Sequence, residues 1–306
     1  MPLPLRWKWK LDRLRERAAA LFGAQEKPSR PRLCPACGTL VGATATKCHE
    51  CGASMTFSLA AASRTLSSLI PSETPVTYLF LGINFVLFVF SLALSMQLTG
   101  GFSGMGNISG QVLYRLGARE TQAILDYGEI WRLVMPIFLH GNLIHIGFNT
   151  FVLMDLGPQM EETYGSPRYL YLYLLTGIFG NVVSTAWSFF FYGGGGLSIG
   201  ASGSLMGLIG LMLAITTRRG GAMMQMVRSQ LLKWVLYIFL LGLFVNADNA
   251  AHAGGLAAGF LLGKLFADRE PIAGKERKRA YALGWLAAVI VIASFAFMLK
   301  NYFAAR

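Results

Sequence analysis

Seven apolar stretches follow one another along the chain, near residues 77–97, 142–158, 168–191, 201–217, 230–246, 250–267 and 280–299. Each approaches the ~20 residues that an α-helix needs to cross the hydrocarbon core of a bilayer. The pattern predicts an all-α polytopic membrane protein. The polar breaks are unequal in charge. Arg218, Arg219, Arg228 and Lys233 lie around the junction of the fourth and fifth stretches. Lys264, Arg269, Lys275, Arg277, Lys278 and Arg279 lie around the junction of the sixth and seventh. The short breaks Gly193–Gly196 and Asn246–Asn249 hold neither Lys nor Arg. Because basic loops stay on the cytoplasmic side, the N-terminus is expected in the cytoplasm and the C-terminus outside. One break, about residues 98–139, is long enough to be functional or partly structured, and it falls on the outer side.

Ahead of the first apolar stretch the pattern changes. Residues 1–32 set Trp7, Trp9, Leu11, Leu14 and Leu21 among Arg6, Lys8, Lys10, Arg13, Arg15 and Arg17. That reads either as a short amphipathic helix on a membrane surface or as a solvated helix. It lacks the apolar core and small-residue cleavage site of a signal peptide, and Asp12 and Glu16 argue against a mitochondrial transit peptide. Residues 33–54 hold all four cysteines of the chain, Cys34, Cys37, Cys48 and Cys51, as two Cys-x-x-Cys-Gly units with ten residues between Cys37 and Cys48. Four thiolates at this spacing suit one tetrahedral Zn²⁺, a closed structural site that would supply the folding energy of so small a unit. Spacing alone leaves iron open, and His49 reads as an exposed neighbour. A cytoplasmic position agrees with reduced thiols. Residues 55–75, rich in Ala, Ser and Thr and closing on Pro71 and Pro75, form a linker with a surface helix expected over 58–70.

Composition narrows the classes. Of 306 residues, 54% are apolar and only 14% charged, against about 25% in soluble domains, and the mean hydropathy is +0.49. Intrinsic disorder of the bulk is excluded. The net charge of +12 is accounted for by basic cytoplasmic loops and anionic lipid, and requires no nucleic-acid partner.

Polar residues inside apolar stretches are functional candidates by default. Three of the four histidines, His140, His145 and His252, lie in or beside such stretches. The fourth stretch opens Gly200-Ala-Ser202-Gly203, with Gly207 and Gly210 beyond; alone, its small residues read as helix packing. In the sixth, His252, Gly255 and Gly259 fall at i, i+3 and i+7 on one bare helix face. Packing these two faces brings the Ser202 hydroxyl toward the His252 imidazole, a nucleophile and its base. In the second, His145 and Asn149 share a face and can donate hydrogen bonds to an oxyanion together with the Ser202 N–H. A transporter is disfavoured, since neither a charged pathway nor a repeat is visible.

Gly-x-Ser-Gly, His-x₄-His-x₃-Asn and Ala-His-x-Gly-Gly-x₃-Gly in these positions, with Trp131-Arg132 after Glu129 and Glu162-x-x-Gly165-Ser166, resemble the rhomboid family of intramembrane serine proteases. The resemblance covers about residues 70–270. It implies a six-helix rhomboid-like core over 76–270, with 271–306 a basic loop and an added seventh transmembrane helix. It implies Ser202 and His252 as the catalytic pair, and His145, Asn149 and Ser202 as the oxyanion hole. His140, Trp131, Arg132, Gly200, Gly203, Gly255 and Gly259 would have supporting roles. No cofactor is implied for catalysis, so zinc would be structural. Expected partners are transmembrane protein substrates, the bilayer and a protein docking on the zinc module. The expected location is the bacterial cytoplasmic membrane. The alternative is a non-catalytic membrane-protein binder on the same fold. One departure is Met206, where some family members carry a Tyr packed on the histidine.

Overall fold

The computed structural model describes residues 31–34, 39–50, 52, 54–55, 73–271 and 274–304. The basic segment 1–30, the expected helix over 58–70, and Cys37 and Cys51 lie outside the described residues. The chain divides into two compact units, 1–70 and 71–306.

In the first unit, β1 (Arg32–Leu33) and β2 (Leu40–Val41) pair antiparallel, Arg32 opposite Val41 and Leu33 opposite Leu40. The Cys34 N–H closes the turn on the Thr39 carbonyl at 2.7 Å. A second antiparallel bridge joins Lys47 to Ser54 around the turn that begins at Cys48. There the Gly52 N–H reaches the Cys48 carbonyl at 2.9 Å, and Gly52 adopts φ +69°, where a side chain is disfavoured. Cys34, Val41 and Cys48 share one buried cluster. Among the described residues no group of three metal-ligating side chains occurs.

The second unit is helical. All seven apolar stretches are helices: α1 (Pro75–Thr99), α4 (Leu143–Tyr164), α5 (Ser166–Tyr192), α6 (Ser202–Arg219), α7 (Gly221–Phe244), α8 (Asn249–Leu265) and α9 (Gly274–Ala304). Four of them, α1, α5, α7 and α9, are long and apolar enough to cross a membrane by length and composition. The other three carry the polar candidates. The long break holds two short helices, α2 (Gly110–Arg115) and α3 (Thr121–Leu125), and two 3₁₀ turns, Ile130–Leu133 and Met135–Phe138.

Two boundaries differ from the hydropathy reading. Helix α7 starts nine residues before the expected position, so Arg228 lies within it and not in a loop. Its start is set by Gly220 and Gly221, both at positive φ, while residues 221–229 continue the helix without being strongly apolar. Helix α9 likewise begins at Gly274, taking Lys275 and Arg277–Arg279 into its first turns.

Helix ends follow local chemistry. Pro75 opens α1, and Gly100 at φ +78° ends it by donating to the Met96 carbonyl at 3.0 Å. The Asn142 and Asp248 side chains cap α4 and α8, accepting the His145 N–H at 2.9 Å and the Ala251 N–H at 2.9 Å. The start of α1 is capped from a distance. The buried Glu161 carboxylate of α4 accepts from the N–H groups of Val76 and Thr77, from the Thr77 hydroxyl and from the Ser166 hydroxyl, at 2.6–2.9 Å.

The core sits where α6 meets α8 and α5. Here glycine decides the spacing. A Cβ on Gly255 would collide with the Gly203 carbonyl, one on Gly259 with the Gly207 carbonyl, and one on Gly210 with the Leu256 carbonyl. The α6 and α8 backbones therefore touch over two turns. At the end of the bundle away from Ser202, Arg218 and Arg219 bind Asp268 at 3.0 and 2.6 Å. Helix α9 is tied there through Arg168 and Glu276 at 2.8 Å. Near its other end, Phe295 packs on Phe138 of the second 3₁₀ turn at 5.8 Å.

Candidate active site

The N-terminal ends of α4, α6 and α8 meet at one end of the helical unit, around a cavity of about 1330 Å³. Ser202, His252, His145 and Asn149 all line it. The Ser202 hydroxyl is 2.9 Å from His252 Nε2. Two features of the chain produce that distance. The Gly203–Gly255 contact lets the helices approach, and Ser202 is the first residue of α6, behind the cap position held by Ala201, with its Oγ turned toward α8.

The other face of the imidazole is also held. His252 Nδ1 lies 3.3 Å from Asn249 Oδ1, and Asn249 Nδ2 donates to the Phe239 carbonyl of α7 at 3.1 Å. With its proton on Nδ1, the ring donates to Asn249 and presents the Nε2 lone pair to Ser202. The Phe239 ring packs edge-on against the His252 ring, centroids 6.1 Å apart. Met206 is buried and lines the same cavity, but the aromatic ring against His252 comes from α7. Neither Asn249 nor Phe239 stood out in the sequence. Asn249 could have been found from its i, i+3 relation to His252; an aromatic residue on an apolar helix carries no comparable signal.

His145 and Asn149 face the cavity from α4. The Gly141 N–H points at His145 Nδ1 at 3.5 Å, which leaves Nε2 as the donor. That nitrogen lies against Gly200, where an added Cβ would fall 2.6 Å from it. Gly200 also adopts φ +124°, so both space and backbone require glycine there. Asn149 is 2% exposed and its Nδ2 has no protein partner, leaving two N–H groups available to the cavity. The first-turn N–H groups of α6 have no acceptor within their own helix. This set of donors around a hydroxyl–imidazole pair can bind a developing negative charge beside an activated nucleophile.

The supporting candidates fall into two places. Gly203, Gly255 and Gly259 form the α6–α8 seam. Trp131 and Arg132 lie in the first 3₁₀ turn, on the long connection. Arg132 is fully buried, paired with the Glu129 carboxylate and donating to the carbonyls of Tyr114 at 2.7 Å and Ala118 at 3.1 Å. Its guanidinium also lies over the Tyr114 and Trp131 rings. Both residues hold the connection together and neither lines the cavity. His140 is fully buried, its ring edge-on to His145 with centroids 5.1 Å apart, and neither ring nitrogen has a protein partner.

Comparison with known proteins adds an independent line. Residues 127–269 match the family model described as the rhomboid domain. The chain is 32% identical over 218 residues to the rhomboid protease GluP of Bacillus subtilis (strain 168), a match covering 71% of this chain and 38% of that protein. It is 34% identical over 161 residues to rhomboid-like protease 1 of Toxoplasma gondii, covering 51% and 53%. It is 30% identical over 207 residues to the mitochondrial RHOMBOID-like protein 6 of Arabidopsis thaliana, covering 60% and 64%. The matches thus span from under two fifths to just under two thirds of these relatives' own lengths.

Proposed function

The chain carries a rhomboid domain, and from that premise we propose that it is a serine endopeptidase that cuts peptide bonds in or near transmembrane helices of other membrane proteins. The observation that carries the reading is the 2.9 Å contact between Ser202 Oγ and His252 Nε2 beside the unpartnered Asn149 amide.

In this reading Ser202 Oγ attacks the scissile carbonyl and its proton passes to His252 Nε2. The carbonyl oxygen, now an oxyanion, is held by Asn149 Nδ2, His145 Nε2 and the Ser202 N–H. His252 then gives its proton to the leaving amine, and the amide bond breaks. A water molecule in the cavity transfers a proton to His252, attacks the acyl ester and releases the new carboxyl end, and Ser202 recovers its proton. Asn249 keeps the imidazole in the tautomer this sequence needs. A peptide carbonyl within a helix is already hydrogen-bonded, so the substrate must unwind locally before attack.

The finer architecture follows the same reading: six helices, α1 and α4–α8, as the protease core, α9 as an added span, and the Ser202 end of the bundle facing outward. A bacterial cytoplasmic membrane, with the N-terminus inside and the C-terminus outside, matches the basic residues gathered at the opposite end. Within the first unit we propose a structural Zn²⁺ held by Cys34, Cys37, Cys48 and Cys51. The burial of Cys34 and Cys48 in one cluster supports it. Zinc would cross-link the two turns, and the unit would dock a protein partner. One zinc per chain by elemental analysis, lost on replacing Cys34 and Cys48 with Ser, is the expected result; metal-free full-length protein would remove this part.

Cleavage is tested in liposomes with a single-span substrate that carries Gly or Pro and a small residue near its outer end. Cleavage by the wild type that Ser202→Ala abolishes is expected. Equal cleavage by both, or none by the folded wild type, would turn the reading toward a non-catalytic binder.

A further inference from the structure

Resting on the protease reading above, we propose that Arg119 is a positioning residue. It sets Ser202 and His252 in register by gripping the segment that leads to one and the helix cap that precedes the other. Arg119 lies between α2 and α3 on the long connection, is 5% exposed, and lines the cavity. Its main chain exchanges two hydrogen bonds with Ser198, at 2.9 and 3.0 Å. Ser198 is four residues before Ser202, and the segment between is held again where the Gly200 N–H meets the Pro136 carbonyl at 2.8 Å. This is the serine side of the grip.

The side chain provides the histidine side. Arg119 Nη2 lies 3.7 Å from Asp248 Oδ2, and Nη1 donates to the Thr121 hydroxyl at 2.8 Å. Asp248 is the cap of α8, one turn before His252. Its Oδ1 accepts the Ala251 N–H, its Oδ2 also accepts the Ser184 hydroxyl of α5, and its carbonyl accepts the His252 N–H at 3.1 Å. A displacement of Asp248 therefore moves the first turn of α8, with Asn249 and His252 on it. A buried guanidinium is costly unless paired, and among the described residues Asp248 is the carboxylate that forms an ion pair with Arg119. One residue thus spans the two elements whose relative position determines the Ser202–His252 distance.

Positioning predicts a loss in the chemical step with binding retained, because a displacement near 1 Å costs about 10²-fold in rate. The experiment uses full-length protein in lipid and a fluorophosphonate probe, measuring the saturating labelling rate, the half-saturating probe concentration and the thermal midpoint. Arg119→Gln is expected to lower the saturating rate about tenfold or more, with half-saturation unchanged. Arg119→Lys should recover part of that loss. Adding Asp248→Asn to Arg119→Gln should slow labelling by less than the two single losses combined, since both changes break one shared linkage. Wild-type labelling by folded Arg119→Gln, or additive losses in the double variant, would overturn the proposal. Should Arg119→Gln fail to fold, Arg119→Lys and Asp248→Asn carry the test: slower labelling at a retained midpoint supports it, and unchanged labelling overturns it. Wild type labelled no faster than Ser202→Ala would instead overturn the protease reading, and this inference with it.

Discussion

Adding one methyl group at Gly255 should disable the site without touching a reacting atom. The Cβ of Gly255→Ala would fall inside the Gly203 carbonyl, with the carbonyl carbon at 2.9 Å and the Gly203 Cα at 3.3 Å. Carbon–oxygen contacts between closely packed backbones settle at about 3.3–3.6 Å, so α6 and α8 must separate by roughly an ångström. Nothing flexible can yield, because the obstructing atoms are backbone. Gly203 directly follows Ser202, and Gly255 is one turn beyond His252, so the separation acts on the 2.9 Å contact itself. Opened to about 4 Å, that contact is no longer a hydrogen bond. A misplacement of this size costs about 10²-fold in rate, or ~2.7 kcal/mol in the barrier. Overpacking should also lower stability by about 1–3 kcal/mol. Fluorophosphonate labelling rates measure the first quantity, and thermal unfolding in detergent the second. Gly82→Ala is the control, since a Cβ there meets nothing within 4 Å. Gly255→Ala labelled at the wild-type rate would show that the glycine seam does not set the distance between Ser202 and His252.

Three further outcomes are expected. Asn249→Ala removes the partner of His252 Nδ1 and should lower kcat about tenfold, less than the ~10²–10⁴ of a whole general base, with KM little changed; an unchanged kcat in steady-state assays would count against its orienting role. Glu161→Gln leaves buried donors at the start of α1 poorly met, and at about 1–3 kcal/mol for each unsatisfied group a loss near 3 kcal/mol is expected in reversible unfolding; wild-type stability would contradict it. Desolvation, the largest single influence, pushes the Asp268 carboxyl up, but hydrogen bonds from Arg219 and Arg218 outweigh it and hold the carboxyl below its ordinary value. A depressed folded-state value means the contribution is present above the unfolded value, near pH 4, and is lost as pH falls through the folded one. The midpoint difference between wild type and Asp268→Asn should therefore shrink in acid, and a difference that grows would refute the pairing.

Much of the fold was legible because its physics is local. The seven helices announce themselves as apolar runs, and Pro75, Gly100, Asn142 and Asp248 mark ends through φ or capping. The approach of Ser202 to His252 was legible too, since Gly203, Gly255 and Gly259 leave two helix faces bare. What stayed hidden depends on contacts between distant segments. Helix α7 reaches back to Gly221 because a helix ends where backbone geometry changes, not where hydropathy falls. Phe239 meets His252 only through the packing of α7, and its apolar neighbours give it no distinguishing pattern. Arg119 and Asp248 lie far apart in the chain, and nothing in the intervening sequence pairs them.

The most direct test of the central claim is mass-spectrometric mapping of the fluorophosphonate adduct on full-length protein in lipid, with His252→Ala beside the wild type. A single adduct on Ser202 in the wild type and none in folded His252→Ala are expected. An adduct on a different serine, or equal modification of Ser202 without His252, would contradict it.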